Sequence, residues 1–335
     1  MTRLTSTRGS HASRTLLILA LTIVATAATV PPTATAAPTA TLLVAGLASG
    51  SGSTVGPDGA LYVTEGAAGR VLRVDPQTGD VTTYASGLPP SIVGIGGAMD
   101  VVFKGGTAYV LVTLVGPDVG GNDVVGIYRV DGPHDITVIA DIGAWALAHP
   151  PEPDFFIPTG VQYAMEKHRN GFLVTDGHHN RVLRVTLDGT VTEMIAFGNL
   201  VPTGLEVRGN TVYMAEAGPV PHLPRDGKIV SFRTSSEAAT DVAAGGRLLV
   251  DVEFGTRHQL FALAQGNFTP GHDEGSPADP NTGKLLTVDG QGGFTVIESR
   301  LNQPTSLELI GRTAYVVTLG GEIWKIDLES NDDEG

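Results

Sequence analysis

The chain has 335 residues, a formal net charge of −14 and no cysteine. The acidic balance disfavours binding to nucleic acids or anionic membrane surfaces, because a negative surface repels phosphate groups. The lack of cysteine excludes disulfides, thiol catalysis and thiolate metal sites. With 44 glycines, 21 prolines and few runs suited to helices, the composition favours an all-β protein.

The N-terminal segment predicts export. Arg3, Arg8 and Arg14 precede an apolar run over residues 16–30, which small residues and an Ala-Thr-Ala site at 34–36 follow. A charged start, an apolar segment and a small-residue cleavage site are typical of a secretory signal peptide. We therefore predict a signal peptide over residues 1–36 and a secreted or cell-envelope protein, with an uncleaved anchor as the alternative.

Residues 56–88 predict three short strands joined by tight turns. The strand ALYVTE follows the turn PDG, and the strand RVLRV ends at the turn DPQTG, after which a third β-rich run begins. Short β-rich runs between turns of Pro, Asp and Gly indicate an antiparallel meander.

Variants of this unit recur almost to the C-terminus. The matching second strands are ALYVTE, TAYVLV, GFLVTD, TVYMAE, QLFALA and TAYVVT. Six units of about four strands each predict a six-bladed β-propeller over residues 37–329. The sixth unit lacks an outer strand, and we expect the strand at residues 41–47 to complete it and close the ring. The acidic tail, residues 330–335, is predicted to be disordered.

Long connections accumulate on one face of the predicted propeller. The links between second and third strands are longest in units two, four and five, and a long segment, residues 143–158, joins units two and three. These connections emerge on the same face. Extra length on one face of a repeat protein indicates a binding surface.

Several segments resemble known propeller families. DGHHNRVLRV at residues 176–185 resembles an NHL repeat, and the units resemble six-bladed SMP-30/gluconolactonase-like propellers. The signal peptide, GPDGALYVTE, residues 201–218 and residues 305–326 together resemble the exported bacterial ScyD/ScyE family, named from scytonemin-pigment gene clusters. The resemblance covers the mature chain and implies a six-bladed propeller. Its motifs describe blade construction and not chemistry.

Five carboxylates are predicted to lie near the mouth of the ring. Glu65, Asp176 and Glu216 occupy one repeat position at the end of the second strand, while Asp100 and Asp251 begin first strands close to the axis. Oxygen ligands of this kind suit Ca²⁺ or another divalent cation, with Glu65, Asp176 and Glu216 as the candidate ligands. The alternative is that these acids hydrogen-bond the blade turns.

The resemblance to SMP-30-like enzymes implies Asn or Asp metal ligands where the first strands enter the channel. The matching positions here are Thr159, Thr203 and Thr305. Threonine is a poor metal ligand, so the lactonase metal set is incomplete. The three hydroxyls are predicted to bind channel water or a polar ligand, or else their own backbone.

Two further residues are candidates on the elaborated face. His178 follows a second strand and could contact a ligand, act as a base, or remain a solvated loop histidine. Trp145 could line a sugar or aromatic site, or seal the gap between blades two and three.

These features predict an exported, monomeric propeller that binds a small molecule, a saccharide or a protein at its insertion-rich face. No nucleic-acid partner is expected, and no membrane contact after signal cleavage. The alternative is an SMP-30/gluconolactonase-like divalent-metal hydrolase or lactonase. Because the lactonase ligand set is incomplete and no GxSxG elbow or P-loop is present, binding is favoured over catalysis.

Overall fold

A computed structural model describes residues 40–236 and 238–328 of the chain. These residues form six four-stranded antiparallel sheets arranged around a central channel. The predicted all-β, six-bladed propeller is confirmed. The predicted signal peptide (1–36) and acidic tail (330–335) lie outside the described residues.

The first strand in the chain, β1 (Ala40–Val44), belongs to blade six. Blade one contains β2 (Ser53–Val55), β3 (Leu61–Glu65), β4 (Arg70–Val74) and β5 (Val81–Ser86). Blade two contains β6 (Gly97–Lys104), β7 (Thr107–Thr113), β8 (Gly126–Gly132) and β9 (Asp135–Asp141). Blade three contains β10 (Gln162–His168), β11 (Gly171–Asp176), β12 (Arg181–Thr186) and β13 (Val191–Ala196).

Blade four contains β14 (Pro202–Arg208), β15 (Thr211–Glu216), β16 (Gly227–Arg233) and β17 (Ala239–Gly246). Blade five contains β18 (Leu249–Phe254), β19 (Leu260–Ala264), β20 (Gly283–Val288) and β21 (Phe294–Leu301). Blade six contains β22 (Pro304–Ile310), β23 (Thr313–Thr318) and β24 (Ile323–Asp327), with β1 outside them.

The predicted closure of the ring by an N-terminal strand is confirmed. β1 pairs antiparallel with β24, placing Ala40 opposite Ile326 and Leu42 opposite Trp324. The strand ends at Val44, three residues earlier than expected, and the Leu47 amide continues the contact by donating to the Gly321 carbonyl at 3.1 Å. The two ends of the described chain therefore complete one sheet.

The hydrophobic core lies between the blades. Leu61 and Val63 on β3 pack toward blade six in one cluster with Tyr315, while Tyr62 between them packs on Phe103 of blade two with ring centroids 4.7 Å apart. Side chains alternate across a strand, so both faces of β3 are covered by neighbouring blades. This explains why the second strand of each unit is almost continuously apolar.

One α-helix, α1 (Ile142–Ala148), occurs in the described residues and was not predicted. It opens the long segment between blades two and three, and the Asp141 side chain caps it by accepting from the Ala144 amide at 2.7 Å. Among the residues described, no helix combines the length and apolar character needed to cross a bilayer.

Candidate functional site

A cavity of about 400 Å³ lies at the mouth of the channel, on the insertion-rich face. All four elaborated connections supply lining residues, and most of these are apolar. We call this space the mouth cavity; its principal apolar walls are Ile95, Leu114, Phe155, Phe156, Val201 and Val220.

Apolar side chains at the rim of the mouth cavity are exposed. Phe156 is 67% exposed, Val220 43% and Ile95 37%. The Phe156 ring meets the edge of His178 at a centroid distance of 4.6 Å, which fixes its position without covering it. Exposed apolar groups grouped around a cavity are typical of a ligand entrance.

Tyr163 forms the floor of the mouth cavity. Its ring extends from the inner strand of blade three to the opposite blade, where its hydroxyl donates to the Thr305 carbonyl at 3.1 Å. Both residues also border a narrower space below, with a volume of about 40 Å³. Burial, together with the charges of Asp251 and Asp100, raises the pKa of Tyr163 well above its ordinary value, so the phenol stays protonated and able to donate.

The space below Tyr163 is an acidic chamber. Its carboxylates are Asp100, Glu166, Asp251, Glu253 and Glu308. Burial, followed by mutual repulsion, raises the pKa of Glu253 and Glu308 well above the ordinary range. Burial raises the pKa of Asp251 to about 7. Protons are therefore shared among these groups near neutral pH.

Asp100 and Asp251 lie at the axis, where the sequence placed them, and each braces the next blade. Asp100 Oδ2 accepts from the Met165 amide and Asp251 Oδ2 accepts from the Leu307 amide, both at 2.7 Å. Each carboxylate therefore joins its own first strand to the first strand of the following blade. Neither lines the mouth cavity.

Glu65 and Asp176 are fully buried at blade junctions. Glu65 accepts from the Ala48 amide at 2.5 Å and pairs with Arg70. Asp176 accepts from the Val161 amide at 3.1 Å and from Arg181 Nε at 3.2 Å. These contacts match the alternative that strand-end acids brace the turns.

The Asp176 carboxylate is surrounded by the side chains of His179 and Arg181 and by the backbone of Gly160. His179 Nδ1 lies 3.0 Å from Asp176 Oδ2. Burial by itself would raise the pKa of Asp176, but the His179 and Arg181 interactions outweigh it and lower that pKa below its ordinary value. Gly160 has φ +78, and a Cβ there would lie 2.5 Å from Asp176 Oδ1. Only glycine permits this close approach.

Glu216 has the same repeat position but no partner. Lys228, opposite it on β16, instead donates to Asp241 at 2.7 Å. Both Glu216 carboxylate oxygens are buried without a hydrogen bond, and burial raises the pKa of Glu216 to about 7. The Leu200 and Val201 amides both donate to Asn180 Oδ1, at 2.9 Å.

The structure does not bring Glu65, Asp176 and Glu216 together, because each faces a different blade junction. In the described part of the chain, no group of three or more His, Asp or Glu side chains is placed to hold a metal ion. Binding of Ca²⁺ or another divalent cation stays a prediction, without a shared site formed by these three side chains.

The hydroxyls of the three channel threonines form hydrogen bonds with residues distant in the sequence. Thr203 donates to the Leu249 carbonyl at 2.9 Å, Thr305 to the Gly50 carbonyl at 3.2 Å, and Thr159 to Asp118 Oδ2 at 2.7 Å. Thr203 and Thr305 border the mouth cavity, and Thr159 does not. These hydroxyls are therefore engaged by protein groups, although not by their own local backbone as the alternative predicted, and this favours a structural role over ligand binding.

Trp145 packs between blades two and three and is not part of the cavity wall. It stacks on His149 with ring centroids 4.4 Å apart, and the Arg181 guanidinium lies 4.8 Å from its ring centre. This placement corresponds to the sealing role.

His178 and His222 are the histidines of the mouth cavity, and their contacts fix which nitrogen carries hydrogen. The Ile157 amide donates to His178 Nε2 at 3.3 Å, so His178 Nδ1 carries the hydrogen in the neutral ring. His222 Nδ1 lies 3.2 Å from the Ala217 carbonyl, which can only accept, so Nε2 of His222 keeps the lone pair. Burial lowers the pKa of both rings, which favours their neutral form.

Comparison with solved structures places the chain among propellers of known geometry. A gluconolactonase from Xanthomonas campestris aligns with a TM-score of 0.60 and 12% identity over 87% of this chain and 90% of that one. A catalytically inactive virginiamycin B lyase from Staphylococcus aureus with Quinupristin aligns with a TM-score of 0.52 and 16% identity. The alignment covers 84% of this chain and 81% of that one. The shared feature is the six-bladed fold. At such low identity the likeness extends to the fold and not to the activity.

No protein-family model matches the sequence, and no curated protein sequence matches it either. The resemblance to the ScyD/ScyE family therefore stays a prediction. The comparisons support the six-bladed propeller fold that the sequence predicted.

Tyr163, Phe155 and Phe156 shape the mouth cavity, although they are not among the candidate site residues predicted from the sequence. A sequence signal existed for Tyr163, since it is an aromatic residue on an inner strand beside the axis. Phe155 and Phe156 lie in the long segment between blades two and three, where adjacent aromatic residues in a loop indicate either packing or binding.

Proposed function

We propose that this protein is an exported binding protein of the ScyD/ScyE type that holds a predominantly apolar small molecule in the mouth cavity. The observation that carries the proposal is the cavity itself, about 400 Å³ with largely apolar walls and a closed floor at Tyr163. Small-molecule sites usually have this size, with apolar walls and a few placed polar groups.

Polar groups in the mouth cavity would orient such a ligand. His178 Nδ1 offers a hydrogen, and His222 Nε2 offers a lone pair. Gln265 Oε1 accepts from the Ala278 amide at 2.9 Å, which leaves the Gln265 amide nitrogen free to donate. A ligand with one hydrogen-bond donor and one acceptor would match these groups.

Truncation at the rim tests the proposal. We expect Phe156→Ala to weaken binding of a neutral naphthalene or indole derivative by about tenfold. The substitution removes the ring against which the ligand packs, and burial of a large apolar side chain is worth about 1.5–3 kcal/mol. Isothermal titration of the purified protein measures the effect. Leu147→Ala is the matched control, because Leu147 is 58% exposed on α1 and does not line the cavity.

Equal loss of affinity in the two variants would contradict the proposed location. Failure of every compound in a broad thermal-shift screen to raise the melting temperature would contradict small-molecule binding, because a ligand that binds only the folded state must raise it.

A second candidate function is hydrolysis of an ester or lactone with His222 as the base. The orientation of its ring favours this, because Nδ1 is held by the Ala217 carbonyl and neutral Nε2 can take a proton from water. His178 is less suited, since its Nε2 accepts from the Ile157 amide. No metal-dependent step is needed in this scheme.

The hydrolase candidate predicts a specific loss. If a lactone or ester is turned over, His222→Gln should lower kcat at least a hundredfold, while His134→Gln, a histidine bonded to Ser86 on an outer strand, should leave it unchanged. Spectrophotometric assay of a lactone panel measures both. Equal rates in the two variants would remove His222 from the chemistry.

A further inference from the structure

The lining residues of the mouth cavity include no lysine or arginine. Both histidines that line it have a pKa lowered by burial and are neutral at pH 7. Glu274 is the carboxylate among the lining residues. Its Oε1 lies 3.7 Å from His178 Nδ1, and its side chain is 59% exposed. An anionic ligand would meet a carboxylate here, with no cation to pair with.

The acidic chamber adds to this field from below. Ser51, Met99, Tyr163 and Thr305 border both spaces, so only one layer of side chains separates them. Among the chamber carboxylates, Glu166 has a cationic partner in Lys167 at 3.2 Å. Asp251, whose pKa is about 7, is mostly ionised at pH 7.5. Because low-dielectric walls focus the field of an enclosed charge, its negative potential extends into the mouth cavity.

The walls of the mouth cavity can also accept positive charge. Phe155, Phe156 and Tyr163 border the space, and an ammonium group over an aromatic face is stabilised by the ring quadrupole. The cavity therefore combines apolar contact area with negative potential.

We propose that the ligand is an organic cation, an apolar or aromatic body that carries one protonated amine. This inference rests on the proposed function, since it concerns the ligand of the same cavity. The body packs on the apolar walls, and the ammonium group lies between Glu274 at the rim and Tyr163 at the floor.

Three probes with one common body test the charge. Naphthalenemethylammonium, naphthalenemethanol and naphthoate are titrated into the purified protein at pH 7.5 and low ionic strength. We expect the ammonium probe to bind at least tenfold more tightly than the alcohol, and the carboxylate probe to bind most weakly. Raising the salt concentration should reduce the advantage of the ammonium probe, because ions screen charge interactions.

Two variants locate the source of the attraction. Glu274→Gln should weaken the ammonium probe by about twofold to fivefold, because Glu274 is largely exposed, and should leave the alcohol unchanged. Asp251→Asn in the chamber should also weaken the ammonium probe selectively at pH 7.5, because Asp251 has a pKa of about 7 and is mostly ionised there; unchanged binding of the alcohol shows that the cavity is intact. Asp80→Asn is the matched control, since it removes a charge from an exposed turn outside both spaces.

The outcomes separate this inference from the proposed function. If the alcohol or the carboxylate probe binds as tightly as the ammonium probe, the cationic ligand is overturned while binding of apolar molecules stands. If none of the three probes binds, the proposed function and this inference both fail. Selective loss of ammonium binding in Glu274→Gln and Asp251→Asn, but not in Asp80→Asn, supports the inference.

Discussion

Asp176→Asn is expected to destabilise the propeller by about 3–5 kcal/mol at pH 7, because it leaves the Arg181 guanidinium buried without its carboxylate. Arg181 is only 1% exposed, and its other carboxylate neighbour, Glu193, lies 3.7 Å from Nη1 and is 46% exposed, so it replaces this pair only in part. Urea denaturation measures the loss. Asp80→Asn, at an exposed turn, should change the free energy of unfolding by less than about 0.5 kcal/mol.

The loss should depend on pH in a defined direction. The pKa of Asp176 is lower in the folded protein than its ordinary value of 3.8. Its ionised form therefore contributes stability above about pH 4, and this contribution disappears as the pH falls through the folded pKa. The difference between wild type and Asp176→Asn should shrink in strong acid. An unchanged difference from pH 7 to pH 3 would contradict the role of the charge.

A double variant distinguishes loss of the pair from loss of shape. Asp176→Asn combined with Arg181→Met removes both charges, and we expect it to be less destabilised than the sum of the two single variants. If the losses add, the Asp176–Arg181 interaction is not the source of the effect.

Glu216→Gln is expected to have the opposite sign and to stabilise the fold above pH 7. Burial raises the pKa of Glu216 from 4.5 to about 7. The unfolded chain therefore ionises at lower pH than the folded protein, and wild-type stability falls as pH rises between these values. A pKa shift of this size lowers the stability of the wild type by about 3 kcal/mol above pH 7. The gain from Glu216→Gln should be smaller than this, because the buried glutamine amide is also unpaired.

Thermal melts at pH 5 and pH 8 check this prediction. The gain in melting temperature from Glu216→Gln should be larger at pH 8 than at pH 5. Glu65→Gln is the matched control, because Glu65 has the same repeat position but accepts from Ala48 and pairs with Arg70, and it should destabilise the protein. Destabilisation by both substitutions would show that Glu216 has a partner in solution.

The fold was predictable because every blade repeats one local pattern. Turns such as DPQTG and the apolar second strands set the strand boundaries within each unit, and the missing outer strand of blade six pointed to β1. The helix α1 was not predicted, because its seven residues, IGAWALA, are too few to show a helical period. The inner strand β2 was also not predicted, because it is only three residues long and partly polar.

The three candidate metal ligands, Glu65, Asp176 and Glu216, do not share a site, and the alternation of side chains along the strands already indicates why. Leu61, Val63 and Glu65 alternate along β3, and the first two pack toward blade six. Glu65 must therefore face the same blade junction and not the axis. Equal repeat positions in different blades are separated around the ring, so a residue that recurs along the sequence does not converge in space.

The cavity could not be predicted from the repeat, because it is built from the segments in which the blades differ. Phe155 and Phe156 belong to the link between blades two and three, Val220 and His222 to blade four, and Glu274 to blade five. Long-range packing sets the relative placement of these segments. The lengths of the connections could indicate the face of the cavity, but not its volume or its floor.

The pairing of β1 with β24 has a consequence for the order of folding. The first strand of the described chain to be synthesised is the last to find its place, since its partner is the last strand made. Blades one to five can form while the chain is still growing, whereas blade six must wait for the C-terminal residues. Closing so long a loop is slow and costs chain entropy. A chain truncated before residue 323 would therefore leave β1 as an unpaired edge strand, available for pairing with another molecule.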